Sequence, residues 1–287
     1  MTRITAPLRA ELRLAGQPAV VLTVLIAAAA TVRAVLWYLD AVTRGAAQEE
    51  PGLVALTTPA GALQAAAWHH ASLPGLVLAA LLGGVVLAEG LESGTWPLVR
   101  LYQGRVGLLL VRKLVAVLFL AVLSTAVTAI VLWTAVKIGH IVEPPGGPRP
   151  LTAASEPGAP RIHPPGWGDA SAACARALLV VSFFAAVTLC AAAASRSVIT
   201  AAVLGAGPLT ATLPLVTTDF RTWTPHYWIA AWTEFPEDAQ WNLYWWSSTP
   251  SSPDTGTALA VLCGSGGVLL VAAWLLLRAE RSLSARL

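Results

Sequence analysis

The sequence predicts an all-α fold: a polytopic membrane protein of six transmembrane helices, with an interfacial helix before the first span, a short polar helix at the inner surface and short interfacial helices outside. Three observations carry this. Only 11% of the 287 residues are charged, against about 25% in soluble domains, too few to cover a soluble surface. Six apolar runs each approach the roughly 20 residues needed to cross a hydrocarbon core. Lys and Arg segregate to one side of the layout that those runs impose. Residues 1–287 read as a single transmembrane domain, with no soluble domain and no internal repeat.

The runs are Pro18–Leu39, Ser72–Gly90, Leu114–Val136, Ser171–Ser195, Ser197–Thr218 and Thr257–Leu277. Arg3, Arg9 and Arg13 precede the first run as they precede a signal peptide, but the run continues to Tyr38. That exceeds an h-region of about 7–15 residues, so it reads as a retained span. Before it, Leu8, Leu12 and Leu14 interleave with Arg9 and Arg13, the pattern of a surface-lying amphipathic helix over Met1–Gly16.

One side of this layout carries the N-terminus, Arg100, Arg105, Arg112, Lys113, Arg196 and the C-terminal Arg278, Arg281 and Arg286. The other side carries most of the acids and only scattered bases, Arg44, Lys137, Arg149, Arg161 and Arg221. The positive-inside rule then puts both termini in the cytoplasm of a cell bounded by this plasma membrane. An even number of spans returns the chain to its starting side. The outer connections are long. Glu143–Gly168 is too rich in Pro and Gly for regular structure, and 219–256 holds Trp223, Trp228, Trp232, Trp241, Trp245 and Trp246.

Between the second and third runs lies "EGLESGTWPLVRLYQGRVGLLLVRK", Glu89 to Lys113. Ser93 or Thr95 can cap a helix, with Pro97 in its first turn. Beyond it apolar residues alternate with Arg100, Arg105, Arg112 and Lys113. The result is a short amphipathic helix on the inner surface, with Glu89 and Glu92 at its start. Lipid headgroups or another protein are both suitable partners for it.

This stretch resembles the permease subunit of bacterial ATP-binding-cassette exporters of the type-2 group. That family has six spans, an N-terminal interfacial helix and, after the second span, a segment reading Glu-x-x-x-Gly-Thr followed by a basic entry into the third. Here "LESGTWPLVR" supplies Glu92, Ser93, Gly94 and Thr95, "GR" supplies Gly104 and Arg105, and Lys113 stands at the third span. The Arg-Pro or Gln-Pro usual before the turn is replaced by "LYQGR", with Pro97 earlier. The resemblance implies that Glu89–Arg105 is a coupling helix touching an ATPase subunit, Glu89, Glu92, Ser93, Gly94, Thr95, Arg100 and Arg105 being its contact residues. It also implies two ATPase copies, a second permease copy or homologue, and membrane lipid around them. ATP and Mg would sit in the ATPase, with no cofactor bound by this chain. Scarce Lys amid abundant Ala, Gly, Pro and Arg matches a GC-rich genome such as an actinobacterium's.

The chain's own chemistry agrees that it is no enzyme. It has no G-x-x-x-x-G-K-[ST] phosphate loop and only two lysines, Lys113 and Lys137. His69 and His70, beside Trp68, read as a surface pair at the outer end of the second span, with no third metal ligand nearby. No metal site and no nucleic-acid partner are expected. Cys174, Cys190 and Cys263 lie in apolar runs and read as small buried hydrophobes. Arg33 and Arg176, alone well inside the runs, are near outer ends and can snorkel. Gly207, Pro208 and Pro214 in the fifth run form a candidate hinge. The six outer tryptophans form an aromatic belt, or an outer gate by the family resemblance. Interiors this poor in charge suit a hydrophobic or amphiphilic cargo: a drug, antibiotic, peptide or lipid. Two rival functions remain: a membrane-embedded enzyme acting on lipid or cell-wall precursors at the outer face, and a non-transporting anchor subunit.

Overall fold

The computed structural model describes residues 2–43, 55–92, 106–141, 165–233 and 254–284. Among them every regular element is helical, and no strand occurs. Helix α1 spans Thr2–Thr43, α2 Pro59–His70, α3 Leu73–Glu92, α4 Val106–Ile141, α5 Trp167–Ser195 and α6 Val198–Ala211. Two 3-10 turns follow, Leu213–Thr217 and Asp219–Trp223, then α7 Pro225–Thr233 and α8 Thr255–Ser284. Four stretches are long and apolar enough to cross a membrane: Gly16–Leu36, Val106–Ile138, Trp167–Ser195 and Thr255–Ala279. A fifth is the pair Pro59–His70 and Gly75–Ala88 if they form one broken span, bent by 64°.

Local chemistry sets several of these ends. Thr58 caps α2, its hydroxyl accepting from the Gly61 N–H at 3.1 Å, with Pro59 in the first turn. The Asp169 carboxylate reaches back to the Gly166 N–H at 3.0 Å to open α5. Asp254 accepts from the Thr257 N–H at 3.1 Å to open α8. Helix α5 stops at Arg196, which takes the left-handed conformation (φ 57°) and bonds back to the Ala192 carbonyl at 2.9 Å.

The fold departs from the six-run reading at three places. Residues 2–43 form one helix of 42 residues, so the backbone of the expected interfacial segment runs unbroken into the first span. An additional apolar helix, α2, precedes the second span. The fifth run is divided: α6 has 14 residues, about 21 Å, and ends before the Pro214 turn. Pro208 lies within α6, where the helix continues for three residues beyond it.

Helix α5 is the hub, packed against α2, α3, α6 and α8, while α4 packs against α1, α2 and α3. The apolar core has three clusters. One joins Ala30 and Ala34 of α1, Ala65 and Ala66 of α2, and Ala129 and Leu132 of α4. The central one gathers Leu78, Leu82, Val117, Val180, Phe184, Ile229 and Leu262. The third joins Leu87, Leu109, Leu189, Ala201, Ala273 and Leu277 where α3, α5 and α8 end and α4 and α6 begin. Small residues carry the tightest crossings, as expected where close packing replaces the hydrophobic effect. At the α2–α3 bend a Cβ on Gly75 would lie 1.4 Å from the His70 carbonyl oxygen, so only glycine fits. The outward faces stay apolar: Val20, Val24, Val111, Phe119, Ile130, Ile199 and Val268 are all exposed, as lipid-facing residues are.

Candidate functional site

Three groups of polar contacts interrupt the apolar packing, one at each end of the bundle and one near its middle.

The Arg-rich end holds the first. Helix α3 terminates at Glu92, whose carboxylate accepts a hydrogen bond from the Val198 N–H at 3.0 Å. Val198 opens α6, so Glu92 satisfies one of the orphan N–H groups of that helix and complements its dipole. Next to this contact α3 and α6 touch closely: a Cβ on Gly84 would be 3.1 Å from the Val198 carbonyl oxygen. Lys113 of α4, read from sequence as a basic residue at the membrane entry, is only 5% exposed and donates to the Val86 carbonyl of α3. The α5–α6 reversal at Arg196 completes this end. Segment 93–105 joins Glu92 to Val106, and it contains Ser93, Gly94, Thr95, Arg100 and Arg105, all outside the described residues; the Glu89 side chain is outside them too.

The opposite end holds the second group. Helix α7 returns to the bundle and buries Ile229 and Ala230 in the central core. Arg176 of α5 fixes it. Its guanidinium donates to the Thr233 carbonyl at 3.3 Å, and the Trp232 indole donates to the Arg176 carbonyl at 3.1 Å. A cation on the last carbonyl of a helix is favourable for the helix dipole. Arg176 thus has a partner in the protein. Trp228 donates to the Thr222 carbonyl at 3.1 Å and meets Tyr227 edge-on at 5.4 Å. Trp223 is 85% exposed. So the outer tryptophans divide: Trp228 and Trp232 pin α7 and Trp223 projects outward, while Trp241, Trp245 and Trp246 fall outside the described residues.

The third group overturns an expectation. His69 and His70 are not a surface pair; they are 3% and 1% exposed. The reason is α2. This helix dips between α4 and α5 and carries both rings inward with it. His70 Nδ1 lies 2.8 Å from the Ala66 carbonyl oxygen and Nε2 2.9 Å from Ser124 Oγ, near the middle of α4. A carbonyl only accepts, so Nδ1 carries the proton, and in the neutral ring Nε2 accepts from the Ser124 hydroxyl. His69 lies beside Ile26 and within electrostatic reach of Arg33, both of α1. The group ties α1, α2 and α4 together at mid-depth. His226 is also buried, within α7, at 1% exposure.

Of the cysteines, Cys174 and Cys190 are half-buried, whereas Cys263 is exposed on the apolar face of α8. Among the described residues no cluster of three His, Cys, Asp or Glu could hold a metal ion. Gly207 has open space around it, and Pro214 opens the first 3-10 turn.

Sequence reasoning missed α2, Lys113 as a buried donor and the His70–Ser124 bond. The available signal was the apolar "AGALQAAAWHH", which abuts the second run and is too short to be a span alone.

Comparison with protein-family models, with curated proteins and with solved structures returned no match. The fold by itself defines a class: the described residues are all-helical, with four to five helices or helix pairs among them able to cross a membrane.

Proposed function

We propose that the chain is the membrane-spanning permease subunit of an ATP-driven ABC exporter in the plasma membrane, moving a hydrophobic or amphiphilic substrate. Two permeases, this chain twice or this chain with a homologue, pair with two ATPase subunits that supply the ATP and Mg sites. The Arg-rich end faces the cytoplasm, as Lys and Arg bias requires. Six crossings are then α1, the bent α2–α3 pair, α4, α5, α6 with its first 3-10 turn, and α8. Helix α6 alone is about 21 Å long, so this crossing needs the 3-10 turn after it to match the ~30 Å hydrocarbon core.

The observation that carries the reading is the Glu92 contact. The exporter-like motif begins at this residue, and its carboxylate holds the first N–H of α6. Force applied to 93–105 by an ATPase subunit therefore reaches α3 and α4 through the chain and α6 through a hydrogen bond. ATP binding draws the ATPases together and biases the permeases from inward- to outward-open states. Helix α7, pinned by Arg176, serves in this reading as part of the outer gate that the family resemblance implies. An outer-face enzyme, which would use outer His, Asp or Glu residues, is the second reading; of the histidines, His69, His70 and His226 are buried. A non-transporting anchor would bind the same partner without ATP-dependent flux.

The test is affinity purification in gentle detergent from the native host, with mass spectrometry of the bound proteins. The reading expects a stoichiometric ATPase carrying Walker motifs. Recovery of the intact chain with no ATPase would overturn it.

A further inference from the structure

On the Arg-rich half of the bundle, α4 and α8 part to leave a cleft of about 190 Å³ lined by Gly107, Leu110, Val111, Leu114, Leu270 and Trp274. We infer that this cleft is a binding site for one anionic glycerophospholipid of the adjacent leaflet, with an acyl chain between the two helices and the phosphate at Arg278.

Shape and walls select the chain. The volume falls below the roughly 300–1,000 Å³ of sites for compact drug-sized ligands. The cleft is elongated along α4 from Gly107 to Leu114, about 10 Å, most of one leaflet's hydrocarbon depth of roughly 15 Å. Its flanks, Val111 and Val271, are each 56% exposed. The mouth therefore opens toward lipid rather than water.

Charge selects the headgroup. Arg278, one turn beyond Trp274, stacks its guanidinium over the Trp274 ring at 5.0 Å. A guanidinium held over the ring keeps N–H donors of the kind that grip a phosphate. Gly107 is the second residue of α4, so the positive end of that helix dipole lies at the same mouth. Gly107 also keeps the cleft open: a Cβ there would already be in contact with the Trp274 ring at 3.9 Å, and any longer side chain would fill the entrance. No ATPase is needed for this site.

The experiment is native mass spectrometry of the full-length chain, delipidated in detergent and titrated with phosphatidylglycerol or phosphatidylcholine of identical acyl chains. One added basic contact predicts roughly fivefold tighter binding of the anionic lipid. Arg278→Ala should erase that preference, weakening phosphatidylglycerol binding more than phosphatidylcholine binding, whose phosphate the same guanidinium also meets. Gly107→Leu should lower binding of both lipids, and Val271→Trp, which narrows the cleft from α8, should repeat that loss if Gly107→Leu fails to fold. Equal binding of the two lipids by the wild type, or a preference that survives Arg278→Ala, would overturn the assignment. Lipid binding unaffected by filling the cleft would do so as well.

Discussion

Gly205→Ala is a direct probe of how the short helix α6 is held. A Cβ at Gly205 would lie 2.5 Å from Thr188 Oγ1, 3.1 Å from its Cβ and 3.2 Å from its Cγ2. Thr188 cannot retreat easily. It is fully buried in α5, its hydroxyl donates to the Phe184 carbonyl at 3.0 Å, and α3 also lies close, since a Cβ on Gly83 would be 3.1 Å from the Thr188 side chain. One methyl therefore wedges α6 away from α5, and overpacking of this kind costs about 1–3 kcal/mol. The gain in helix propensity from replacing glycine with alanine, about 1 kcal/mol, offsets only part of it. The expected net result is a fall in thermal midpoint of several degrees, measured by fluorescence-detected size exclusion in detergent. Thr188→Ala combined with Gly205→Ala should recover part of the loss, because it removes the oxygen at 2.5 Å. A Gly205→Ala protein as stable as wild type, or strictly additive single and double variants, would refute the packing argument.

Other outcomes follow from the same contacts. Glu92→Ala should speed hydrogen exchange at the Val198 amide roughly fivefold, as losing a helix cap does, and should uncouple ATP hydrolysis from export. Glu92→Gln, which keeps an acceptor, should retain much of both. Arg176→Ala should release α7 and raise exchange or protease cleavage across 225–233 while leaving α4 unaffected. A double-mutant cycle of His70→Phe and Ser124→Ala should show a coupling of about 0.6 kcal/mol, the average for hydrogen bonds between membrane helices; no coupling would mean that the bond does not form. Lys113→Met removes the donor to Val86 without removing bulk, and should lower stability less than Lys113→Ala does.

Much of this architecture is written in hydropathy. The spans within α1, α4, α5 and α8 were legible because each is a long apolar run, and their packing does not change which residues are apolar. The fifth run shows the limit. Leu213–Thr218 is as greasy as α6, but Pro214 cannot donate to a continuing α-helix, so the backbone tightens into 3-10 turns. Helix α2 was missed for a different reason: its apolar stretch is too short to cross a membrane alone, and its two histidines read as surface residues. Its burial depends on the bend at Gly75 and on Ser124, 54 residues away from His70 in sequence. A partner at that distance leaves no local trace. At the motif, Glu92 was legible as a residue of interest, yet its partner Val198 is a backbone amide, which no side-chain pattern can announce. Arg176 was read as a snorkelling cation for the same reason, since its acceptor is the Thr233 carbonyl.

The central claim is that the segment after Glu92 meets an ATPase, and a photo-crosslinking amino acid placed at Gly94 tests it most directly. After irradiation of native-host membranes, the account predicts an adduct with a Walker-motif ATPase subunit, and none from the same group placed at Trp223, which is 85% exposed at the opposite end. Crosslinking at Gly94 only to lipid, with the ATPase reached instead from Trp223 or from neither position, would contradict it.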